Sequence, residues 1–203
     1  MDASAPTPDR LTAALAAIDA ANADDPHTIV VDGLEQPKEL AHAVMMTRWV
    51  RTLAPDCSDA QLIAARAHHL RRWSIPREDY PRDRAGYLRW RSALRRRHAD
   101  DVAAIMQQVG YDEADVARVQ AIIRKQGLGR DPEVQVHEDA LCLVFLETQF
   151  DALSAQLSDD DKMVDILRKT VQKMSPEGLA AVARLPLSAE GAELLDRALA
   201  GAA

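Results

Sequence analysis

Apolar side chains recur roughly every three to four residues along most of the chain, which is the spacing of helices with one buried face. In the first such segment, Leu11, Leu15 and Ile18 follow Thr7-Pro8, an N-cap residue with proline at the first helical position. The alternation of apolar and polar residues that marks a β-strand is confined to a short extended piece at 28–31. The pattern therefore predicts an all-α protein.

Capping residues, prolines and glycines divide the rest of the pattern into segments. Ser58 and Gln61 have the spacing of a capping box, Asp112 and Ser175-Pro176 begin two further helices, and Gly110 ends a long one. The predicted helices after the first span 37–53, 58–72, 84–109, 112–127, 134–156, 159–174, 176–184 and 189–200. We expect a helical bundle at 1–156, with a short C-terminal helical extension at 157–203 packed on the same domain.

The charge of the chain changes the picture of its partners. The formal net charge is −7, and a strongly acidic protein binds long nucleic acids poorly because phosphate contacts need a positive surface. The charge is uneven, however, since residues 66–97 contain eleven arginines and three acidic residues. A local basic region on an acidic protein suits a small anionic substrate better than a long polyanion. For the run at 89–97, a solvated helix face with intrahelical ion pairs is the alternative interpretation.

Features that would direct the chain to a membrane or out of the cell are not found in the sequence. Two cysteines, Cys57 and Cys142, are too few for a disulfide framework, and the N-terminal residues lack the pattern of a signal peptide. No apolar run approaches the roughly 18 residues that a membrane span needs. We therefore expect a cytoplasmic protein without a membrane partner.

Histidine and aspartate residues in three predicted helices are candidates for a metal site. His42 lies in the second helix, His68-His69 lies late in the third, and Asp139 lies early in a helix that continues with apolar residues. A helical bundle can bring side chains from several helices to one interior point, and imidazole with carboxylate suits a divalent transition metal. A single buried histidine is more often an ordinary core residue, but two adjacent ones followed by arginines and a tryptophan favour a site.

This order of residues resembles the HD-domain metal-dependent phosphohydrolases over residues 37–150. In that superfamily a histidine, a His-Asp pair and a distant aspartate hold the metal, so the resemblance implies that His42, His68, His69 and Asp139 hold it here. Because His69 stands where the HD pattern has aspartate, the centre would be one charge more positive, which favours one divalent transition metal (Fe, Zn, Mn or Ni) over Mg. The same departure leaves open a site that binds no metal.

A second resemblance covers nearly the whole chain. It is carried by the strings HHLRRWSIPR at 68–77, YP at 80–81, YLRWR at 87–91, EDALCLVFL at 138–146 and KTVQKMS at 169–175. These strings are similar to a bacterial and fungal family of unknown function. The resemblance implies that the His-His pair belongs to the family's own pattern, and it supplies no activity.

Residues near the expected ligands are candidates for proton transfer. Glu138 is adjacent to Asp139, and His98 lies in the long basic helix. Some HD proteins bind a second metal through two further histidines, and His98 matches the first of these. The expected second one, near Lys125-Gln126, is missing, which favours a single metal. A surface or ion-paired histidine is the alternative for His98.

Basic residues near the histidine pair are candidates for substrate binding. Arginine gives two-pronged phosphate contacts, and an indole can stack on a base or pack under arginines. Lys169 and Lys173 are four residues apart on one helix face, although ordinary solvated lysines are equally compatible with this spacing. The candidate substrate-binding residues are Arg72, Arg77, Trp73, Lys125, Lys169 and Lys173.

Together these features favour a metal-dependent hydrolase, a phosphohydrolase acting on a small phosphorylated or nucleotide-like substrate. Two alternatives stay open. An iron-dependent HD-type oxygenase is compatible with three imidazoles and one carboxylate. A non-catalytic module that keeps the bundle and senses a ligand would bind no metal.

Overall fold

The computed structural model describes residues 9–31, 33–148, 150 and 160–200. Its helices are α1 (Arg10–Ala23), α2 (Lys38–Leu53), α3 (Asp59–Arg66), α4 (Arg84–Gln108), α5 (Glu113–Ile123), α6 (Pro132–Thr148), α7 (Asp160–Val171), α8 (Pro176–Ala181) and α9 (Ala189–Ala200). Two short strands, β1 (Thr28–Val31) and β2 (Leu34–Pro37), form an antiparallel hairpin. The mostly-α class predicted from the hydrophobic pattern is confirmed. Within the described ranges, no helix is both long enough and apolar enough to cross a membrane.

Side-chain caps fix where several helices begin. Ser58 Oγ accepts a hydrogen bond from the backbone N–H of Gln61, whose side chain in turn accepts the N–H of Ser58, so the predicted capping box is confirmed. Comparable side-chain caps stand at the starts of α5 and α8, at Asp112 and Ser175. These starts could be predicted because a cap involves only neighbouring residues.

The N-terminal segment differs from the prediction in two places. Asp9 caps α1, while the predicted start at Thr7-Pro8 lies outside the described residues. The predicted loop after 28–31 contains a second strand, β2, because Gly33 takes a φ of +77° and allows the chain to reverse. The sequence of β2, LEQP, lacks apolar alternation and gave no indication of a strand.

The described residues divide into two compact units. The first comprises those up to Thr47 together with Ser58–Arg124, and the second comprises Arg48–Cys57 together with those from Lys125 onward. The expected domain boundary at 156–157 lies outside the described residues and stays a prediction.

In the first unit, α1 packs against α3 and α4, and α5 packs against the same two helices. Each helix contributes apolar side chains three or four residues apart, as the sequence pattern predicts. The fully buried side chains of this core include Ala14, Ile18, Ile63, Leu70, Val102, Met106, Val119 and Ile122. This core fixes the end of α3 and the course of α4, which carry candidate site residues.

The prediction for the end of α3 was wrong. The helix ends at Arg66 and not near Arg72, so His68-His69 lies in a turn. The turn closes at Arg71, which has a left-handed φ of +52° and whose N–H is accepted by the buried side chain of Asn22. Glycine is the usual residue at such a helix end, so an arginine at this position gave no indication in the sequence that the helix ends here.

In the second unit, α7 packs against α9 and α6 packs against α8. Asp139 joins α6 to the start of α8, because its two carboxylate oxygens accept the N–H and the hydroxyl of Ser175 at 2.9 and 2.6 Å. Gly178, in the first turn of α8, lies so close that a Cβ there would be 2.6 Å from Asp139 Cγ. This approach requires a residue without a side chain.

Arg71→Gly should be more stable to unfolding than Arg71→Ala by about 1 kcal/mol, because glycine takes the left-handed conformation without the steric cost of a Cβ. Both variants lose the same exposed guanidinium, so their difference isolates the backbone. Urea denaturation followed by circular dichroism measures it. Equal stability of the two variants would show that the turn stores no strain.

Gly178→Ala should lower the free energy of unfolding by about 1–3 kcal/mol, since the added methyl group overpacks against Asp139. The exposed neighbour Glu177 offers a control, because Glu177→Ala should change stability by less than about 0.5 kcal/mol. Thermal or urea unfolding measures both. A Gly178→Ala protein as stable as the wild type would contradict the close approach.

Candidate metal centre

Three side chains of the first unit meet at a buried point and offer ligand atoms. Glu39 Oε2 lies 3.3 Å from His42 Nδ1 and 2.9 Å from His69 Nδ1. Glu39 and His42 are buried, and His69 is partly exposed. Among the described residues, these three form the group whose potential ligand atoms all lie within 4.8 Å of one another. The cluster could hold a metal ion, so the structure contains a group of the kind that the sequence analysis expected.

The first turn of α2 places two of these residues. Glu39 and His42 are three positions apart, so they share one face of the helix. Asp25, in the loop before β1, accepts the backbone N–H of Glu39 at 3.0 Å and so caps α2 from outside the helix. The turn after α3 supplies His69. Helix α2 and the turn after α3 therefore meet at one carboxylate, whose backbone is fixed by a third segment.

Hydrogen-bond roles fix the tautomers of the histidines. A carboxylate only accepts, so the Nδ1 atoms of His42 and His69 donate to Glu39, and their Nε2 atoms carry the lone pairs. His98 on α4 follows the same rule, because its Nδ1 donates to the carbonyl of Leu70 at 2.8 Å. Among the described residues, the Nε2 atoms of His42 and His98 have no hydrogen-bond partner although they are buried. Two interior lone pairs are thus left for a ligand.

Burial and neighbouring charges set the protonation of the cluster. Burial opposes the charge of Glu39, but the charges and hydrogen bonds of His69 and His42 outweigh it and hold the pKa of this carboxyl far below its usual range. Burial lowers the pKa of His69 to about 4, against the opposing effect of Glu39. Burial, reinforced by His69 and Arg72, lowers the pKa of His98 to about 3. At neutral pH an ionised Glu39 therefore lies beside neutral His69 and His98.

The spacing of the donor atoms suits coordination. For metal–ligand bonds of about 2.1 Å, neighbouring ligand atoms lie roughly 3.0 Å apart in an octahedron and roughly 3.4 Å apart in a tetrahedron. The separations from Glu39 Oε2 to the two Nδ1 atoms, 3.3 and 2.9 Å, agree with these values and would allow direct ligation in the tautomers that carry the proton on Nε2. Ligation through Nε2, with Glu39 as the carboxylate that orients the imidazoles, is the other arrangement these contacts allow. In both arrangements Glu39, His42 and His69 fit a transition metal.

Arg72 and Trp90 border this cluster. Arg72 donates from Nη1 to His69 Nε2 at 3.3 Å, and its Nε lies 3.8 Å from Glu39 Oε1. The guanidinium also lies over the Trp90 ring, 4.8 Å from the centroid, and the indole N–H of Trp90 donates to the carbonyl of Ile75 at 2.9 Å. The predicted anion-binding arginine is therefore adjacent to the cluster and held by an aromatic ring.

Other predicted residues of the first unit lie near the cluster without entering the three-residue group. His68 packs against His69, with ring centroids 4.2 Å apart. Arg77 donates to two backbone carbonyls of the connector before α4. The ring that faces Arg72 comes from α4 and is not that of Trp73. The ligand role of His68 and the substrate roles of Arg77 and Trp73 stay predictions.

The second unit contains the remaining predicted site residues, which are Asp139, Glu138, Lys125, Lys169 and Lys173. Asp139 accepts hydrogen bonds from Ser175 and, at 3.0 Å, from the side chain of Gln135. Glu138 is buried and forms an ion pair with Lys125. The other two lysines are exposed. The metal-binding, catalytic and substrate-binding roles of this set stay predictions.

Glu39 is the cluster member absent from the sequence-based predictions. It lies three residues before His42, and a Glu-x-x-His pair on one helix face is a recurrent ligand pattern in helical metal proteins. That spacing is the signal that could have identified it. The position of Trp90 beside Arg72 had no comparable signal, because Trp90 follows Ile75 by 15 positions, across an irregular connector and the first turns of α4.

Comparison with protein-family models matches residues 12–195 to a family described as a domain of unknown function, DUF4202. No curated protein and no solved structure matches the chain. The expected family of unknown function is thereby confirmed, and the HD-domain resemblance stays a prediction.

Protein purified without a metal-chelating tag should carry one transition ion per chain. His42→Ala and His69→Ala should each reduce the metal content at least about tenfold, because each removes a donor or a group that orients one. Glu39→Gln should do the same, since it keeps the size of the side chain and removes its charge. Elemental analysis of folded protein, checked by circular dichroism, measures the content.

The exposed His27 provides a matched histidine control, and His27→Ala should keep the full metal content. Wild-type metal content in both His42→Ala and His69→Ala would rule out the cluster as the metal site.

Proposed function

The chain belongs to the DUF4202 family, and from its candidate metal centre we propose that it is a metal-dependent hydrolase of small phosphorylated, nucleotide-like compounds. The main support is the cluster of Glu39, His42 and His69 with Arg72 beside it. A transition ion held by these residues supplies Lewis acidity toward a phosphoryl oxygen and lowers the pKa of a water molecule. We therefore assign the proposed activity to the first unit.

The charges of the cluster favour an anionic substrate. Glu39 supplies one negative charge and His69 is neutral, so a bound divalent ion keeps excess positive charge. The side chain of Arg72 is 32 % exposed, which leaves its guanidinium within reach of a ligand from solvent. The planar fork of arginine can bind two oxygens of one phosphoryl group. Arg72 would thus hold the anion next to the reacting centre.

His98 supports the same chemistry as a hydrogen-bond acceptor. The bond from Nδ1 to Leu70 fixes its ring and leaves the Nε2 lone pair buried. Because burial lowers the pKa of His98 to about 3, it holds a proton weakly at neutral pH. We therefore assign His98 to orienting the attacking water.

The ligand set itself favours one competing activity. Two imidazoles and one carboxylate also make up the metal sites of mononuclear iron oxygenases, so an iron-dependent oxygenase is the second candidate. Iron in the purified protein, together with substrate-dependent oxygen consumption, would identify it. A protein that binds a nucleotide and carries no metal would instead be a ligand-sensing module.

Metal-loaded protein should release phosphate from members of a nucleotide panel, with activity lost on chelation and restored by metal. Arg72→Lys should lower kcat/KM by about one to two decades, because lysine keeps the charge and loses the planar fork. Arg96→Lys on α4 is the matched control, since Arg96 is exposed and donates to Ser92. Phosphate assays measure both.

Equal losses in the two lysine variants would indicate diffuse electrostatics and no local anion site. The absence of phosphate release from every nucleotide, in protein that retains its metal, would refute the hydrolase.

A further inference from the structure

Arginine and aromatic side chains alternate in a row that begins at the candidate metal centre. The guanidiniums of Arg72 and Arg77 lie 4.8 and 5.9 Å from the centroid of the Trp90 ring. Those of Arg77 and Arg91 lie 6.0 and 5.8 Å from the centroid of the Tyr87 ring. The two rings are 6.0 Å apart. We call these five residues the arginine–aromatic ladder.

The ladder concentrates three positive charges, and among the described residues a carboxylate pairs with only one of them, that of Arg72. Among the described residues, Arg91 has no carboxylate partner, and the hydrogen bonds of Arg77 go to neutral backbone carbonyls. The nearest carboxylate to Arg72 is Glu39, at 3.8 Å. Arg72 and Arg91 carry like charges within the same ladder, so their guanidiniums repel each other. An anion with several charges would relieve this repulsion.

The two aromatic residues of the ladder differ in how they are held and exposed. Trp90 is fixed by its hydrogen bond to Ile75, and its ring packs against the guanidinium of Arg72, so it acts as a positioning residue. Tyr87 is 42 % exposed, so its side chain can be reached by a ligand from solvent. An exposed ring flanked by arginines is the arrangement on which nucleobases stack while phosphates bind the cations.

We propose that the arginine–aromatic ladder binds a nucleoside di- or triphosphate, with phosphates on Arg72 and Arg91 and the base stacked at Tyr87. This assignment rests on the proposed function, because Arg72 is shared between the ladder and the cluster of Glu39, His42 and His69. It adds a substrate class with more than one phosphate, two residues that recognise it, Tyr87 and Arg91, and one that positions Arg72, Trp90. A single phosphate would engage only one end of the ladder.

Calorimetric titration of the full chain with ATP, AMP, adenosine and tripolyphosphate tests whether the ladder binds nucleotides. The titrations are done once in the presence of a chelator and once with added metal. ATP should bind more tightly than AMP, and adenosine should bind weakest. Arg91→Gln should weaken ATP and tripolyphosphate alike, by about tenfold or more. Tyr87→Ala should weaken ATP by about tenfold and leave tripolyphosphate unchanged, whereas Tyr87→Phe should keep the ATP affinity.

Arg89→Gln is the charge-matched control, because Arg89 lies on the same helix, is exposed and stands outside the ladder. Equal weakening by Arg89→Gln and Arg91→Gln would overturn the site. Circular dichroism checks that each variant is folded. A folded Tyr87→Ala variant whose affinity for tripolyphosphate falls as much as its affinity for ATP would overturn base stacking. Tighter binding of a single-stranded oligonucleotide than of ATP would show that the surface serves nucleic acid instead.

The two proposals fail in different ways. If protein that carries no metal binds nucleotides, and the variants have the predicted effects, the hydrolase proposal fails and the nucleotide site at the ladder stands. If phosphate release depends on metal but is unchanged by Arg91→Gln and Tyr87→Ala, the nucleotide site at the ladder fails and the hydrolase proposal stands.

Discussion

The buried carboxylate of Glu39 is the group on which the rest of the candidate site depends. An ionised carboxylate in the interior is strongly disfavoured unless hydrogen bonds compensate it, and here the imidazoles of His42 and His69 donate to the same oxygen. Asp25 fixes the backbone of Glu39 from the loop before β1. Without the Glu39 charge, neither imidazole would have the acceptor that sets its tautomer. The loop before β1, α2 and the turn after α3 are thus joined through Glu39.

The influence of this acid extends outward through a single guanidinium. Arg72 is close to Glu39, donates to His69 and lies over Trp90, so its position follows from the cluster on one side and from α4 on the other. The turn that delivers Arg72 depends in turn on the left-handed Arg71 and on Asn22. A polar network inside the first unit therefore determines which basic side chain can meet an anion at the site.

Much of the fold could be predicted because its determinants are local. The caps at Ser58 and Ser175 act within three residues, and the helical period of the core needs no knowledge of the partner helix. The end of α3 could not be predicted, because Arg71 is held by a side chain 49 positions earlier in the chain. A left-handed arginine has no local signal that distinguishes it from a helical one.

The candidate site shows the same division between local and distant causes. His42 and His69 could be selected from residue type and order, and the two side chains lie in one cluster. Trp90 could not be selected over Trp73, since which indole faces Arg72 depends on how an irregular connector returns to α4.

The shared position of Arg72 also implies a thermodynamic linkage between two ligands. An anion that draws the guanidinium away from Glu39 leaves that carboxylate with more of its negative potential and His69 Nε2 without its donor, so a cation is attracted more strongly. By reciprocity, a cation at the cluster must raise the affinity for the anion by the same factor. The two would therefore bind with positive heterotropic cooperativity. An affinity measured for one ligand in the absence of the other would be lower than the affinity with both present.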